Sequence, residues 1–467
     1  MSSRVLLIDF GSTFTKVAAV DCESAEVIGR AQAPTTVRTD VALGLKEAID
    51  RLVEQTGMTE LRSVRRLASS SAAGGLRLVV CGLVPRLTSE AARRAALGAG
   101  AKVVGVYSYA LSKADVAEMQ ATAPDILLLS GGTDGGDSAV VLANARALAN
   151  SALRCPVIVA ANRAASDEAA EILVKRDKVV HRADNVMPEF GRLEVDPARR
   201  AIRDVFIEHI VKAKGLEEVQ KTFERPVIPT PMAVLLGAEV LAKGHDAEKG
   251  LGDLVLVDVG GATTDVDSVA KGDPTEPSLV PRGLPEPYAK RTVEGDLGIR
   301  YNAANILATA EDAVMEHAGV EAHEDSRRHM TGRVRSLGQE VQTLPVDDEG
   351  HRVDTALART AVEIAVARHA GMVEHVYMPD GDVTVQRGKD LRGVNVVVGT
   401  GGILAHGKNP RYVLEGARYS RREPLSLRPR DPKLYVDSMY IFYAAGLLAE
   451  TAPEVAVRLQ KQSLVAV

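Results

Sequence analysis

Short apolar runs recur along the chain, and most stop abruptly at glycine, hydroxyl or acidic residues. The clearest lie at 5–8, 76–80, 102–106, 126–129, 157–159, 254–258 and 395–398. Brief runs rich in Val, Ile and Leu with such ends predict core strands. Between them the apolar period becomes helical: within 41–53, Leu45, Ile49, Leu52 and Val53 share one face. Strands alternating with amphipathic helices predict an α/β fold with at least partly parallel sheets. From about 76 to 172 the segments follow one another as strand, turn and helix, which predicts a doubly wound subdomain inserted in the first half. A polar stretch from 175 to 225 follows, helical around 201–214. The prolines of "RPVIPTP" at 225–231 break helices and favour extended backbone, and mark a boundary. Farther on, 272–287 reads as a proline-rich loop and 303–337 as charged helix.

Two strand ends share one pattern. Residues 5–16 read VLLIDFGSTFTK, and residues 254–266 read LVLVDVGGATTDV. In the first, Asp9 comes where a core strand reaches the surface. Gly11 permits a tight reversal and keeps side chains away from backbone N–H groups. Ser12, Thr13 and Thr15 add hydroxyls, and Lys16 adds a positive charge. Backbone N–H groups in such a turn form an anion-binding concavity, and the set suits a polyphosphate with Mg2+. The second turn offers Asp258, Gly260, Gly261, Thr263, Thr264 and Asp265, without the lysine. Two such turns facing each other would clamp one phosphate chain, with Asp9 and Asp258 organising Mg2+ through its water shell. A lone Asp-x-Gly turn is most simply a capped β-turn; two copies after matched apolar runs favour phosphate binding.

Two further strand ends carry chemistry. In "VNVVVGTGGILAHGKN" (394–409), Gly399, Thr400, Gly401 and Gly402 would let an adenine or ribose lie against the backbone. Gly402, Gly407 and Lys408 also match GxxxxGK, the start of a P-loop. Asn409 stands where the Mg2+-binding Ser or Thr belongs, and Pro410 where a helix should be under way, so the P-loop is rejected. In "ILLLSGGTDGGDS" (126–138), Asp134 or Asp137 could orient a water for attack on a terminal phosphate. A turn with a helix N-cap at Asp137 or Ser138 accounts for the same residues.

Composition narrows the classes. Fifty-seven Lys and Arg against 62 Asp and Glu give a formal charge of −5, without the basic field of a nucleic-acid binder. Cys22, Cys81 and Cys155 show no CxxC spacing, so neither a disulfide framework nor a zinc site is implied, and a reducing compartment fits. No leader pattern is seen, and no apolar run approaches the roughly 20 residues of a membrane span. A soluble cytoplasmic protein is expected, with neither nucleic acid nor membrane as partner.

With these turns in order, the chain resembles the actin-like ATPase superfamily, which includes actin, Hsp70 chaperones and sugar kinases. More closely, "VLLIDFGSTFTK", "SSSAAGGLRLVVCGLVPRLTSEAA", "LLLSGGTDGGD", "LVDVGGATTDV" and "VVVGTGGIL" resemble the MutL (GlmL) proteins associated with glutamate mutase, which are unrelated to mismatch-repair MutL. The resemblance implies a two-lobed, ribonuclease H-like α/β fold with the doubly wound insertion in the first lobe. Its divisions would be 1–65 as first-lobe ATPase core and 66–225 as inserted α/β and helical region. The second-lobe core with a helical subdomain would span 226–440, and a C-terminal helix 441–467. It implies ATP or ADP with Mg2+, and a slow ATPase that reactivates a cobalamin-dependent carbon-skeleton mutase by releasing damaged cobalamin. The mutase subunits would be its partners. Asp9 and Asp258 would organise the metal, Lys16 would neutralise charge, and Asp134 would position water. Gly11, Ser12, Thr13, Gly260, Gly261, Thr263 and Thr264 would hold phosphate, and Gly399, Thr400, Gly401 and Gly402 the nucleoside. Three rivals stand beside this reading. A small-molecule kinase of the same fold would need a concave substrate pocket with a catalytic aspartate, a part open to Asp134. An actin-like filament or other homo-oligomer is compatible with the near-neutral surface. A cobalamin-binding module is disfavoured because no DxHxxG corrinoid signature is present.

Overall fold

A computed structural model describes residues 3–11, 14–36, 40–71, 76–213, 219–246, 248–321, 323–378 and 381–467. The chain forms two compact units. The first comprises Met1–Leu236, Gly283–Pro285 and Gly446–Val455; the second comprises Gly237–Arg282, Glu286–Ala445 and Ala456–Val467.

The first unit begins with an antiparallel meander of β1 (Arg4–Phe10), β2 (Phe14–Asp21) and β3 (Glu26–Pro34). The helix Val41–Thr56 lies over it. Asp40 caps that helix by accepting the Ala42 N–H at 2.8 Å, and Gly57 ends it at φ +71 with its N–H on the Val53 carbonyl. Leu45, Ile49, Leu52 and Val53 pack on Leu6, Ile8 and Phe10, so the helical face read from the sequence is the buried one. β4 (Arg65–Ser70) then lies parallel to β1.

Next comes a second, wholly parallel sheet of β5 (Arg77–Gly82), β6 (Lys102–Ser108), β7 (Ile126–Leu129), β8 (Val157–Val159) and β9 (Val180–Arg182), in the order β6-β5-β7-β8-β9. Alternate residues serve two cores. Leu78, Val80, Ile126, Leu128 and Ile158 face the helices Glu90–Gly98 and Val195–Ala213. Val79, Cys81, Leu127, Leu129, Val157 and Val159 face the helices Ala139–Ala149 and Arg163–Val174. Burial on both faces is why these strands read as unbroken apolar runs, and it makes this region the doubly wound insertion. The two-residue β10 (Ile228–Pro229) returns to the first sheet beside β4, completing the order β10-β4-β1-β2-β3.

The second unit opens with a short hairpin, β11 (Gly244–His245) and β12 (Glu248–Lys249). The antiparallel strands β13 (Leu254–Val259) and β14 (Thr264–Val269) follow. The remaining strands are β15 (Val280–Pro281), β16 (Ala289–Glu294), β17 (Met372–Met378), β18 (Gly381–Arg387), β19 (Val396–Thr400), β20 (Lys433–Asp437) and β21 (Leu464–Ala466). Its main sheet runs β16-β14-β13-β19-β20-β21, and β15, β18 and β17 form a small separate sheet. The helix Asp348–His369 packs Val353, Leu357, Ala361 and Ala365 on the core that includes Val255, Val257 and Val259.

The two main sheets share a topology. In each, three antiparallel strands are extended by parallel strands on the side of the first, giving the order 3-2-1-4-5: β3-β2-β1-β4-β10 and β16-β14-β13-β19-β20. This duplicated arrangement is that of the actin-like fold, and the repeated sequence motif is the first hairpin of each copy. Among the described residues, no helix is long and apolar enough to cross a membrane.

Candidate functional site

The two hairpins are built alike. The Gly11 N–H donates to the Phe14 carbonyl at 3.1 Å, and the Gly260 N–H donates to the Thr263 carbonyl at 2.9 Å. Asp9 lies opposite Lys16 across its turn, and Asp258 lies opposite Asp265. Glycine is required at Gly11, because a Cβ there would come 2.6 Å from the Phe14 carbonyl oxygen. Ser12 and Thr13 lie outside the described residues.

Asp9 is 2 % exposed, and its two oxygens have different surroundings. Oδ1 accepts from Ser69 Oγ at 3.2 Å and from Thr230 Oγ1 at 2.5 Å. Oδ2 lies 3.5 Å from Lys16 Nζ and points toward the turn, 3.7 Å from where a Gly11 Cβ would be. Ser69 lies near the end of β4 beside β1, and Thr230 follows β10, so both hydroxyls are placed by the parallel half of the sheet.

In the second turn, Asp258 is half-buried at the end of β13. Asp265 occupies the position that Lys16 holds in the first turn, and its charge is met by Arg291 at 2.6 Å and by the Thr263 hydroxyl at 2.8 Å. Thr264 is fully buried and donates its hydroxyl to the Leu297 carbonyl at 2.7 Å. The Gly261 carbonyl accepts the N–H groups of Arg300 and Tyr301, both at 2.9 Å, and Asn302 Nδ2 donates to the Ala262 and Gly295 carbonyls. The turn is thus gripped from behind by the segment 295–302. Arg300 in turn forks onto both oxygens of buried Asp354, at 2.9 and 2.6 Å. Farther along β14, Asp267 is 1 % exposed, and burial together with the nearby Asp265 and Asp258 charges pushes its carboxyl well above the usual range, against the pull of Arg291.

The glycine-rich end of β19 comes directly against the second turn. Thr400 is the register partner of Asp258. Gly401, at φ +102, would carry a Cβ 2.4 Å from the Val259 carbonyl oxygen and 2.9 Å from Asp258 Oδ1, so only glycine fits. Gly399 makes room for Leu404 and Leu414 in the core, whereas nothing lies within 4 Å of a Cβ on Gly402. The Thr400 hydroxyl donates to Asp437 Oδ2 at 3.0 Å, which also accepts the Phe442 N–H at 3.1 Å, and Ser463 Oγ donates to the other oxygen. Burial raises the Asp437 carboxyl despite these hydrogen bonds.

Asp134 belongs to the inserted sheet. Its Oδ1 accepts the Arg163 N–H at 2.9 Å and Asn185 Nδ2 at 3.0 Å. The surrounding loop is wrapped on buried Asn162, whose Nδ2 donates to the Gly136 and Asp137 carbonyls and whose Oδ1 accepts the Gly135 and Ala164 N–H groups. The sequence reading missed Thr230, Arg300, Asp354, Asn162 and Asp437. Of these, only Thr230 carries a local signal, a helix start between prolines.

A family model described as MutL protein matches residues 5–464. Protein MutL of Clostridium tetanomorphum is 44 % identical over 462 residues, covering 99 % of each chain. Among solved structures, xylulose kinase from Bifidobacterium adolescentis has a TM-score of 0.33 at 13 % identity, covering 97 % of this chain and 93 % of its own. Gluconate kinase from Lactobacillus acidophilus has a TM-score of 0.35 at 9 % identity, covering 99 % and 92 %. At such scores these likenesses add nothing to the strand order, but the sequence match spans nearly everything: the chain belongs to the MutL protein family.

Proposed function

We propose that this protein is an ATP-dependent reactivating factor for a cobalamin-dependent carbon-skeleton mutase such as glutamate (methylaspartate) mutase. It would bind the damaged enzyme, hydrolyse ATP slowly and let inactive cobalamin leave. The observation that carries the reading is the pair of hairpins, one in each unit, with the acid and the glycine N–H bond in the same places. Family membership supports the mutase as partner.

Asp9 Oδ2 and the Asp258 carboxylate are hard oxygen donors at strand ends, the type Mg2+ takes. Bound there, Mg2+ would neutralise charge on the phosphate oxygens. Backbone groups at Gly11, Ser12, Thr13, Gly260 and Gly261 would hold phosphate, and Lys16 would balance its charge. Thr263 and Thr264 would keep the second turn in shape, and Gly401 and Gly402 would receive the nucleoside beside Asp258. Asp134 Oδ1 is taken by Arg163 and Asn185, so a water oriented by Asp134 would sit on Oδ2. Nucleotide can change affinity for the mutase only if it binds two forms of the protein unequally.

The test is binding of a fluorescent ATP analogue with Mg2+ to wild type, Asp9→Ala and Asp258→Ala, with steady-state ATPase and recovery of an inactivated mutase. Wild type should bind, turn over slowly and restore the mutase, while both variants stay folded and bind at least tenfold more weakly. A wild type that binds no nucleotide, or variants that match it, would sink the reading. Loss of ATP matched one-to-one by a phosphorylated small acceptor would instead favour the kinase.

A further inference from the structure

We infer that Thr230 is a positioning residue for the divalent cation at Asp9, selecting which carboxylate oxygen faces the ligand. This rests on the nucleotide reading above. A buried aspartate whose two oxygens were free to exchange would present either one to a cation. Here Oδ1 takes two hydroxyl donors, Thr230 Oγ1 at 2.5 Å and Ser69 Oγ at 3.2 Å, which use both of its lone-pair directions. Oδ2 is left facing Lys16 and the Gly11 turn.

The hydroxyl is held by more than its own rotamer. Ile228 pairs with Ser69, and Pro229 pairs with Ser70, so the short β10 fixes the backbone just before Thr230. Thr230 is the first residue of the helix Thr230–Lys243, and Pro231 follows it. Rigid neighbours on both sides keep the hydroxyl on Oδ1, as outer partners of a metal-binding carboxylate do. Lys16 stands where it can balance Oδ2. With a cation held at Oδ2, Lys16 would be released toward phosphate, while Oδ1 would keep its two hydroxyl donors.

The experiment compares wild type, Thr230→Val and Thr230→Ser. The half-saturating Mg2+ for binding of the fluorescent ATP analogue is read beside the melting temperature of the ligand-free protein. Thr230→Val should raise the Mg2+ requirement about 10- to 100-fold. Its affinity for the analogue in EDTA should be unchanged, and Thr230→Ser should restore the wild-type value. A Val variant that titrates like wild type overturns the assignment. So does a Ser variant that behaves like Val, or a loss that appears equally in EDTA. Should Thr230→Val not fold, Ser69→Ala removes the other donor on Oδ1 and carries the same expectation. Nucleotide-free behaviour of the wild type itself would overturn both readings, whereas normal Mg2+-dependent binding with an indifferent Thr230 overturns only this one.

Discussion

Asp354 tests how the second turn is held. It is 2 % exposed and accepts both guanidinium arms of Arg300, itself 8 % exposed. Asp354→Ala leaves that guanidinium buried with the Ile299 carbonyl at 3.0 Å as its remaining acceptor. Removing one partner of a buried pair costs about 3–5 kcal/mol, because a desolvated charge remains. In a unit of this size each kcal/mol moves the midpoint by about 2–4 °C, so the unfolding of the second unit should fall by roughly 6–20 °C. Arg300→Met combined with Asp354→Leu removes both charges and should recover most of the loss, since packed apolar groups replace buried ion pairs well. Circular-dichroism melting and urea titration of wild type, single and double variants decide it; the chain has no tryptophan to report by fluorescence. The Arg300 N–H also holds the Gly261 carbonyl, so Asp354→Ala should weaken nucleotide binding even at temperatures far below its midpoint. A single-variant loss under about 1 kcal/mol, against the 3–5 expected, or a double variant no more stable than the single, would refute the reasoning.

Two further expectations follow from the second unit. Gly401→Ala forces a Cβ against the Val259 carbonyl at a left-handed φ; it should cost about 1–3 kcal/mol and weaken nucleotide binding, and normal melting and binding would contradict the close approach. His369 lies fully buried between the Thr292 and Ser268 hydroxyls, and burial, with Lys290 and Lys389 nearby, holds its imidazole well below the ordinary value of 6.5. The unfolded chain therefore takes up a proton below that pH while the folded chain does not, so stability is full above about pH 6.5 and declines as pH falls. His369→Gln should flatten the decline in denaturant midpoints between about pH 7 and 5.5, and an unchanged slope would show that other groups cause it.

The central parallel strands of the insertion were legible because both faces are buried. β7 and β8 are four and three residues of unbroken Ile, Leu and Val, and their limits agree with the apolar runs. β14 was invisible for the opposite reason: TDVDSV reads as a polar turn, yet Arg291 meets its half-buried Asp265 and His369 meets its buried Ser268. The helix Asp348–His369 was passed over because its apolar face is built largely of alanine. At the site, the turn residues were visible as a local pattern of acid, glycine and hydroxyl. The groups that hold them were not, since Thr230 reaches Asp9 and Asp354 reaches Arg300 only through tertiary pairing.

β10 closes the first sheet with residues that are synthesised after the whole inserted sheet. All five strands of the insertion lie between Arg77 and Arg182, with neighbours close in sequence, so it can fold while the ribosome is still working. The N-terminal meander, already made, keeps β4 as an open edge until Ile228 and Pro229 emerge. Asp9 is therefore among the first residues of the chain to be made, yet it is locked only after the inserted sheet has been made. A nascent or truncated chain that stops short of Thr230 has the acid and the turn but not the hydroxyl donor supplied by Thr230. Competence to hold a cation then serves as a record that the chain has been read past the whole inserted sheet.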